Sequence, residues 1–360
     1  MAHNQAIEEQ TLPFYHRKCY YPVKIGQTFN NRYRIIAKLG YGAYSTVWLA
    51  WDERANEYAS PKVSVQTDHN NVGHSPVLNE INMLRRLKQF ADEDHPGLDF
   101  TRLARDIFET ESLHGLHYCI AYKPQGNSVR TLQETFPNAI VPKPLVKSLI
   151  HRLFFAVNWL HATCGVAHTD ISPQNVLIET EDDTSLRDVE DQEARSPSLP
   201  ITSTDNGAVS TIVYPSKPTM LELSGHPISQ TLVKCDWSKD TLELLEGRNL
   251  FDPIDRVHGQ YVLPLALAQY IGYLGPPPLN IIQQSALFST YFDAEGNWVS
   301  EPPIPKTSLE DFVTTIPPGE EKDQFLQFIR KILTWDPDVR ATANEIIPDE
   351  WLMRPVEEML

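Results

Sequence analysis

At 360 residues the chain can bury one large core or two moderate ones. Its composition, 41% hydrophobic and 22% charged, is that of a globular protein and excludes wholesale disorder. A formal net charge of −16 argues against a surface meant for nucleic acid or anionic lipid and leaves room for a basic protein partner, although solubility alone explains many acidic surfaces.

Residues 1–30 are polar, then tyrosine-rich, and lack the basic start and apolar run of a signal peptide. The longest apolar stretch, Tyr261 to Leu274, is too short to span a bilayer and contains Pro264 and Gln269, so a soluble protein without a membrane partner is expected. The four cysteines, Cys19, Cys119, Cys164 and Cys235, lie far apart, which favours a reduced intracellular chain, cytoplasmic or nuclear, without structural zinc.

From Tyr33 to Ala50 the pattern predicts two strands around the glycine turn Gly40-Tyr41-Gly42-Ala43-Tyr44-Ser45. Glycine lets a backbone approach phosphate oxygens without a Cβ in the way, but a lone G-x-G hairpin is more often a plain turn. A further strand over Ala59 to Val65 carries Lys62, although Pro61 inside it removes a ladder N–H. Leu78, Ile81, Leu84 and Leu87 follow the helical period and place Glu80 on a helix, where it can pair with Lys62; two unrelated surface charges are the plainer alternative.

Cys119 to Gly126 reads as a strand crossing from one lobe to the next, with the backbone of Tyr122 to Gln125 facing a ligand ring. Leu145, Leu149, Leu153, Val157 and Leu160 step by three and four and mark a buried core helix. The helix leads into His168-Thr169-Asp170-Ile171-Ser172-Pro173-Gln174-Asn175, a carboxylate and a carboxamide five positions apart. Phosphoryl transfer needs a residue to orient and deprotonate the attacking hydroxyl and an oxygen ligand for Mg²⁺; Asp170 fits the first role and Asn175 the second. The plainer alternative is a surface loop with an N-cap aspartate. Over about 179–225 the sequence turns acidic, then rich in Ser, Thr, Pro and Gly, which predicts a mobile insert. Two helical patterns follow, Pro264 to Leu274 and Phe325 to Leu333.

The H-x-D and Asn pattern resembles the catalytic loop of eukaryotic protein kinases. Several stretches resemble the SR-protein kinase family in particular, especially its fungal-type members. They include Tyr20-Tyr21-Pro22-Val23-Lys24-Ile25-Gly26, Lys38 to Asp52, Thr169 in place of arginine, Gly275-Pro276-Pro277-Pro278, and Leu333-Thr334-Trp335-Asp336-Pro337-Asp338-Val339-Arg340. The resemblance covers nearly the whole chain. It implies an α+β fold with a small antiparallel-sheet N-lobe (31–124) after an N-terminal extension (1–30), and a larger helical C-lobe (125–360). It further implies serine/threonine kinase activity, ATP and Mg²⁺ as cofactors, and basic arginine-serine-rich protein substrates. Under it, Leu39, Gly40, Gly42, Val47, Lys62, Tyr122, Lys123 and Gln125 hold the nucleotide. Lys62 with Glu80 positions the phosphates, Asp170 is the catalytic base, and Asn175 with Asp236 holds the metal.

The sequence departs from the family in three places. Ser172 stands where kinases usually place a lysine. No D-F-G follows the loop: Asp205-Asn206-Gly207 lacks an apolar strand before it, and Asp236-Trp237-Ser238, the preferred candidate, lacks the glycine; an alternative alignment places it in the central helix of the large lobe, where it would bind no metal. Between Gly225 and Leu244 the activation segment ending in A-P-E is missing, so Arg340 must find another partner than its glutamate or face water. The readings left open are an active kinase, a catalytically impaired pseudokinase serving as a nucleotide-binding or scaffold module, and a truncated gene model.

Overall fold

The structure, a computed structural model, describes every residue except 1–5, 14, 16–18, 68–74, 114, 167–170, 181, 206–207, 220–226, 230–236, 287–289 and 356–360. The N-terminal part comprises β1 (Thr28–Phe29), β2 (Tyr33–Gly42), β3 (Ser45–Asp52), β4 (Glu57–Ser64), α1 (Pro76–Lys88), β5 (Asp106–Ser112) and β6 (Gly115–Tyr122). Then come α2 (Val129–Thr135), α3 (Lys143–Asn158), β7 (Val176–Ile178), α4 (Thr184–Arg195), β8 (Ile201–Asp205), β9 (Ala208–Val213), β10 (Pro227–Ser229) and α5 (Trp237–Glu246). The chain ends with β11 (Ile254–Asp255), β12 (Gln260–Tyr261), α6 (Leu263–Leu274), α7 (Leu279–Gln284), α8 (Leu309–Phe312), α9 (Glu320–Ile332), α10 (Ala343–Ile346) and α11 (Glu350–Met353).

The first six strands form one antiparallel sheet in the order β1-β2-β3-β4-β6-β5. Side chains alternate across a strand, so each strand presents two faces. Here both faces are apolar because both are covered. Tyr33, Ile35, Trp48, Ala50, Val63 and Ala121 pack under Val23 and Phe29 of the N-terminal segment and under Ile212 and Tyr214. On the other face Tyr118, Ile120 and Tyr122 meet Val77, Leu78, Ile81 and Leu84 of α1, which carries the predicted period.

The rest of that second face is closed by α4. Composition predicts a mobile insert over 179–225, and residues 184–195 of that range form α4. Leu186 and Val189, one helical turn apart, are buried against Ile36, Leu49 and Tyr58, and the Tyr58 hydroxyl donates to Glu190. The segment is polar on average, but helical spacing gathers its few apolar residues on one face, and average composition does not register that.

The N-terminal extension is likewise part of the small lobe. Lys38, fully buried on β2, donates to Glu9 and, at 3.0 Å, to the Tyr214 carbonyl, with Glu8 at 3.5 Å. Glu8 accepts in turn from the backbone N–H and hydroxyl of Ser216, at 3.0 and 2.6 Å. One buried cation thus ties together the sheet, residues 8–9 and a strap over 214–219.

The larger lobe packs Leu149, Leu153 and Val157 of α3 against Leu242 and Leu245 of α5, Phe325, Phe328 and Ile329 of α9, and Trp351. At the back of the molecule the lobes meet closely. A Cβ at Gly97 would lie 2.0 Å from the Phe155 carbonyl oxygen on α3, so only glycine fits there. Arg86 of α1 donates to the Cys164 carbonyl at 3.0 Å.

Lys38→Met leaves Glu9 buried without its cation and should lower unfolding stability by about 3–5 kcal/mol in urea titrations. Adding Glu9→Gln should recover part of that loss. A loss below about 1 kcal/mol for the single variant would mean that the pair does not hold the strap.

Candidate active site

The glycine hairpin differs in detail from the predicted turn. Gly40 and Gly42 lie within β2, opposite Val47 and Ser45, and the turn itself is Ala43-Tyr44. Neither glycine has a positive φ, and a Cβ on either would meet nothing within 4 Å. Nothing inside the chain therefore demands glycine at these positions, and the open space suits a ligand that must come close to the backbone. The tip is held from behind: the Tyr20 hydroxyl lies 2.9 Å from the Gly42 carbonyl and 3.2 Å from that of Ala43.

Beneath the hairpin, between the lobes, is a cavity of about 250 Å³ lined by Leu39, Gly40, Val47, Ser60, Arg102 and Gln125, among others. Four predicted nucleotide contacts, Leu39, Gly40, Val47 and Gln125, come together here. Among the described residues, Gly42, Lys62, Tyr122 and Lys123 do not line it. Lys123 instead pairs with Glu179, and Gly42 sits farther out along the hairpin.

Lys62 and Glu80 meet. Lys62 Nζ lies 2.6 and 2.8 Å from the two Glu80 carboxylate oxygens, with both side chains about three-quarters buried. Lys62 stands opposite Val47 on one side and Ile120 on the other. Pro61 does not break the strand. The β3–β4 ladder is interrupted at Trp48 and Leu49 and resumes at Ala50 opposite Ala59 without a slip in register. A missing N–H costs local pairing, while packing on both faces keeps the strand in place.

Glu80 has a second donor, the Tyr122 hydroxyl at 3.1 Å. Burial first, then the Glu80 charge, holds that hydroxyl well above the usual tyrosine range, so it stays a donor. The Arg102 guanidinium lies 3.9 Å from the centre of the Tyr122 ring. Lys62, Glu80, Tyr122 and Arg102 thus form one connected group that reaches the cavity through Arg102.

Of the catalytic loop, His168, Thr169 and Asp170 lie outside the described residues, as does Asp236. Ile171 is buried, the Asn175 N–H donates to the Ser172 carbonyl at 2.8 Å, and the Arg130 N–H donates to the Pro173 carbonyl at 2.8 Å. Asn175 therefore stands at a fixed turn immediately before β7. The strand pairing with β7 is β10, Pro227–Ser229. Asp236 directly precedes α5, whose Leu242 and Leu245 enter the core of the large lobe. Asp205 ends β8 in a hairpin with β9. Among the described residues no three His, Cys, Asp or Glu side chains gather as a metal site. Arg340 is exposed and donates to the Thr334 carbonyl at 3.1 Å, and among the described residues it has no ion pair.

Sequence reasoning missed Arg102, Tyr20 and the strap. Pro218 and Thr219 line the cavity, and the Thr219 carbonyl accepts from Asn127 at 3.0 Å. Tyr20 sits in a stretch singled out for its resemblance, but nothing in it points to the hairpin. Arg102 lies in no motif at all.

A two-lobed fold with a strand lysine paired to a helix glutamate beside an interlobe cavity defines a protein kinase. The protein kinase domain family model matches residues 33–191. A serine/threonine protein kinase of Aspergillus fumigatus is 30% identical over 373 residues, covering 96% of this chain and 91% of its own. Protein kinase dsk1 of Schizosaccharomyces pombe and SRSF protein kinase 3 of Mus musculus are each 33% identical, over 49% and 48% of this chain and 32% and 30% of theirs. A kinase-domain crystal structure superposes with a TM-score of 0.65 over 93% of this chain and 99% of its own, at 16% identity, a likeness of fold alone. The chain belongs to the serine/threonine protein kinases. Among the described residues no helix is long and apolar enough to cross a membrane.

Tyr20→Phe removes the hydroxyl that holds the hairpin tip. It should cost about 1 kcal/mol of stability and speed amide deuterium exchange over residues 41–44. Unchanged exchange there would mean that the tip is held by other contacts.

Proposed function

We propose that the cleft binds Mg-ATP and that the chain transfers the γ-phosphate to serine of basic, arginine-serine-rich proteins in the cytoplasm or nucleus. The observation that carries this reading is the Lys62–Glu80 pair beside the interlobe cavity. Glu80 fixes the ammonium at the inner end of the cleft, where it can meet the α- and β-phosphate oxygens. Gly40 and Gly42 cover the phosphates, and Leu39 and Val47 enclose the base. Asp170 accepts the proton of the substrate hydroxyl, and Asn175 with an aspartate, Asp236 by preference, holds Mg²⁺. Bound there, Mg²⁺ neutralises charge on the phosphates. The net charge of −16 favours encounter with basic substrates.

A second reading has observations of its own. β10 and α5 are joined only by residues 230–236, Ser172 carries no charge, and Arg340 has no carboxylate partner among the described residues. These favour a nucleotide-binding pseudokinase or scaffold, or a gene product truncated at the activation segment.

One assay separates them: labelled phosphate transfer from ATP with Mg²⁺ to an arginine-serine peptide, run beside thermal unfolding. An active kinase labels serine, and Asp170→Ala lowers the rate by about 10²-fold or more while the ATP-induced stabilisation persists. Stabilisation without labelling supports the pseudokinase, and absence of both contradicts a nucleotide site.

A further inference from the structure

The strap over 214–219 is fastened to α4 by one side chain. Lys217 Nζ lies 2.6 Å from a Glu193 carboxylate oxygen and donates to the Ser196 carbonyl at 2.8 Å. Glu193, buried in the last turn of α4, also accepts from the backbone N–H and the hydroxyl of Ser198, both at 2.7 Å. An ammonium carries three N–H donors, so among the described residues Lys217 has one left over. The backbone N–H of Lys217 donates to the Lys38 carbonyl, and the next two residues line the interlobe cavity. A firmer hold on Lys217 therefore steadies one edge of the cleft.

Ser196 stands where such a hold can be added. Its backbone N–H caps α4 by donating to the Gln192 carbonyl, and the residue is exposed. Its hydroxyl makes no hydrogen bond among the described residues, whereas those of Ser198 and Ser216 are committed to Glu193 and Glu8. Arg195-Ser196 is the only Arg-Ser dipeptide in the 360 residues. Arg195 folds back along the helix, its Nε 3.1 Å from the Asp191 carbonyl, and forms no ion pair among the described residues.

We propose that Ser196 is phosphorylated by a second copy of this chain and that the phosphate binds Lys217 and fastens the strap. Taking Arg-Ser as the target rests on the function proposed above. Leu186 and Val189 anchor α4 on its own sheet, so the serine at its end is presented outward to another molecule. The Ser196 oxygen bonds to the γ-phosphorus of ATP, the bond from that phosphorus to the β-phosphate oxygen breaks, ADP leaves, and the hydroxyl proton passes to the base of the acting copy. Phosphoserine brings a charge of about −1.5 to −2 and three acceptor oxygens. A helix C-terminus and a nearby carboxylate ordinarily repel such a group. Here Glu193 is already neutralised by Lys217 and Ser198, while the ammonium sits against Ser196 itself, and the nearer charge decides. Arg195 adds a second cation beside it.

The test has two arms. The whole chain is incubated with labelled ATP and Mg²⁺ beside an arginine-serine peptide, and the label is mapped by mass spectrometry. Ser196 should carry it, at a rate per chain that rises with chain concentration, and Ser196→Ala should lose it. A labelled peptide with unlabelled Ser196, or a rate independent of concentration, overturns the proposal and leaves the kinase reading standing; labelling of neither rejects that reading, and the modification with it. In the second arm phosphoserine is incorporated at position 196 during synthesis of the chain. Amide deuterium exchange over residues 216–219 should slow by about threefold or more, and the slowing should vanish in Lys217→Met. Exchange that is unchanged or faster, or slowing that survives in Lys217→Met, overturns the proposal. If Lys217→Met does not fold, the comparison of modified and unmodified wild type decides alone.

Discussion

The ion pair between Lys62 and Glu80 is the constraint on which the cleft depends. It requires β4 to keep its register past Pro61, so that Lys62 emerges opposite Val47, and it requires α1 to lie against the sheet with Glu80 turned inward. Four buried residues of α1, Val77, Leu78, Ile81 and Leu84, hold that helix in place. Such a pair, about a quarter exposed, adds little to stability once solvent screening is counted. Its consequence is geometric: the ammonium is held at one point between β4 and α1, with Tyr122 as the second donor to the same carboxylate.

The hairpin above the cavity is positioned by parts of the chain remote from it in sequence. Tyr20 holds the tip, and Lys38, two residues before Gly40, is fixed by Glu9 and by the carbonyl of Tyr214. The strap then continues to Pro218 and Thr219 at the cavity, where Asn127 of the other lobe binds the Thr219 carbonyl. The backbone N–H of Lys217 donates to the carbonyl of Lys38 at 2.7 Å, adding a strand-like contact along the way. The entrance of the cleft is therefore built from both lobes and from the long segment between β7 and β10.

Much of this was legible in the sequence. The helical periods over Leu78 to Leu87 and Phe325 to Leu333 mark real helices because each buries a single stripe. The Lys62–Glu80 pair could be read because a strand and a helix of known order each carry one charge at the right place. Pro61 was a misleading signal, since packing on both faces outweighed one missing hydrogen bond. The segment over 184–219 was hidden by its polar average, and Arg102 by standing outside any pattern: an arginine stacked on a tyrosine ring and one in solvent have the same letter. Asp170 and Asp236 belong to residues that the structure does not describe, so the assigned chemistry rests there on the motif.

The most direct measurement is the stabilisation of the folded chain by ATP and Mg²⁺, compared between wild type and Lys62→Met. At a hundred times its Kd, ATP should add about 2.7 kcal/mol to the unfolding free energy of the wild type and far less at the same concentration to the variant. Equal stabilisation of both proteins, or of neither, would contradict a cleft organised around Lys62.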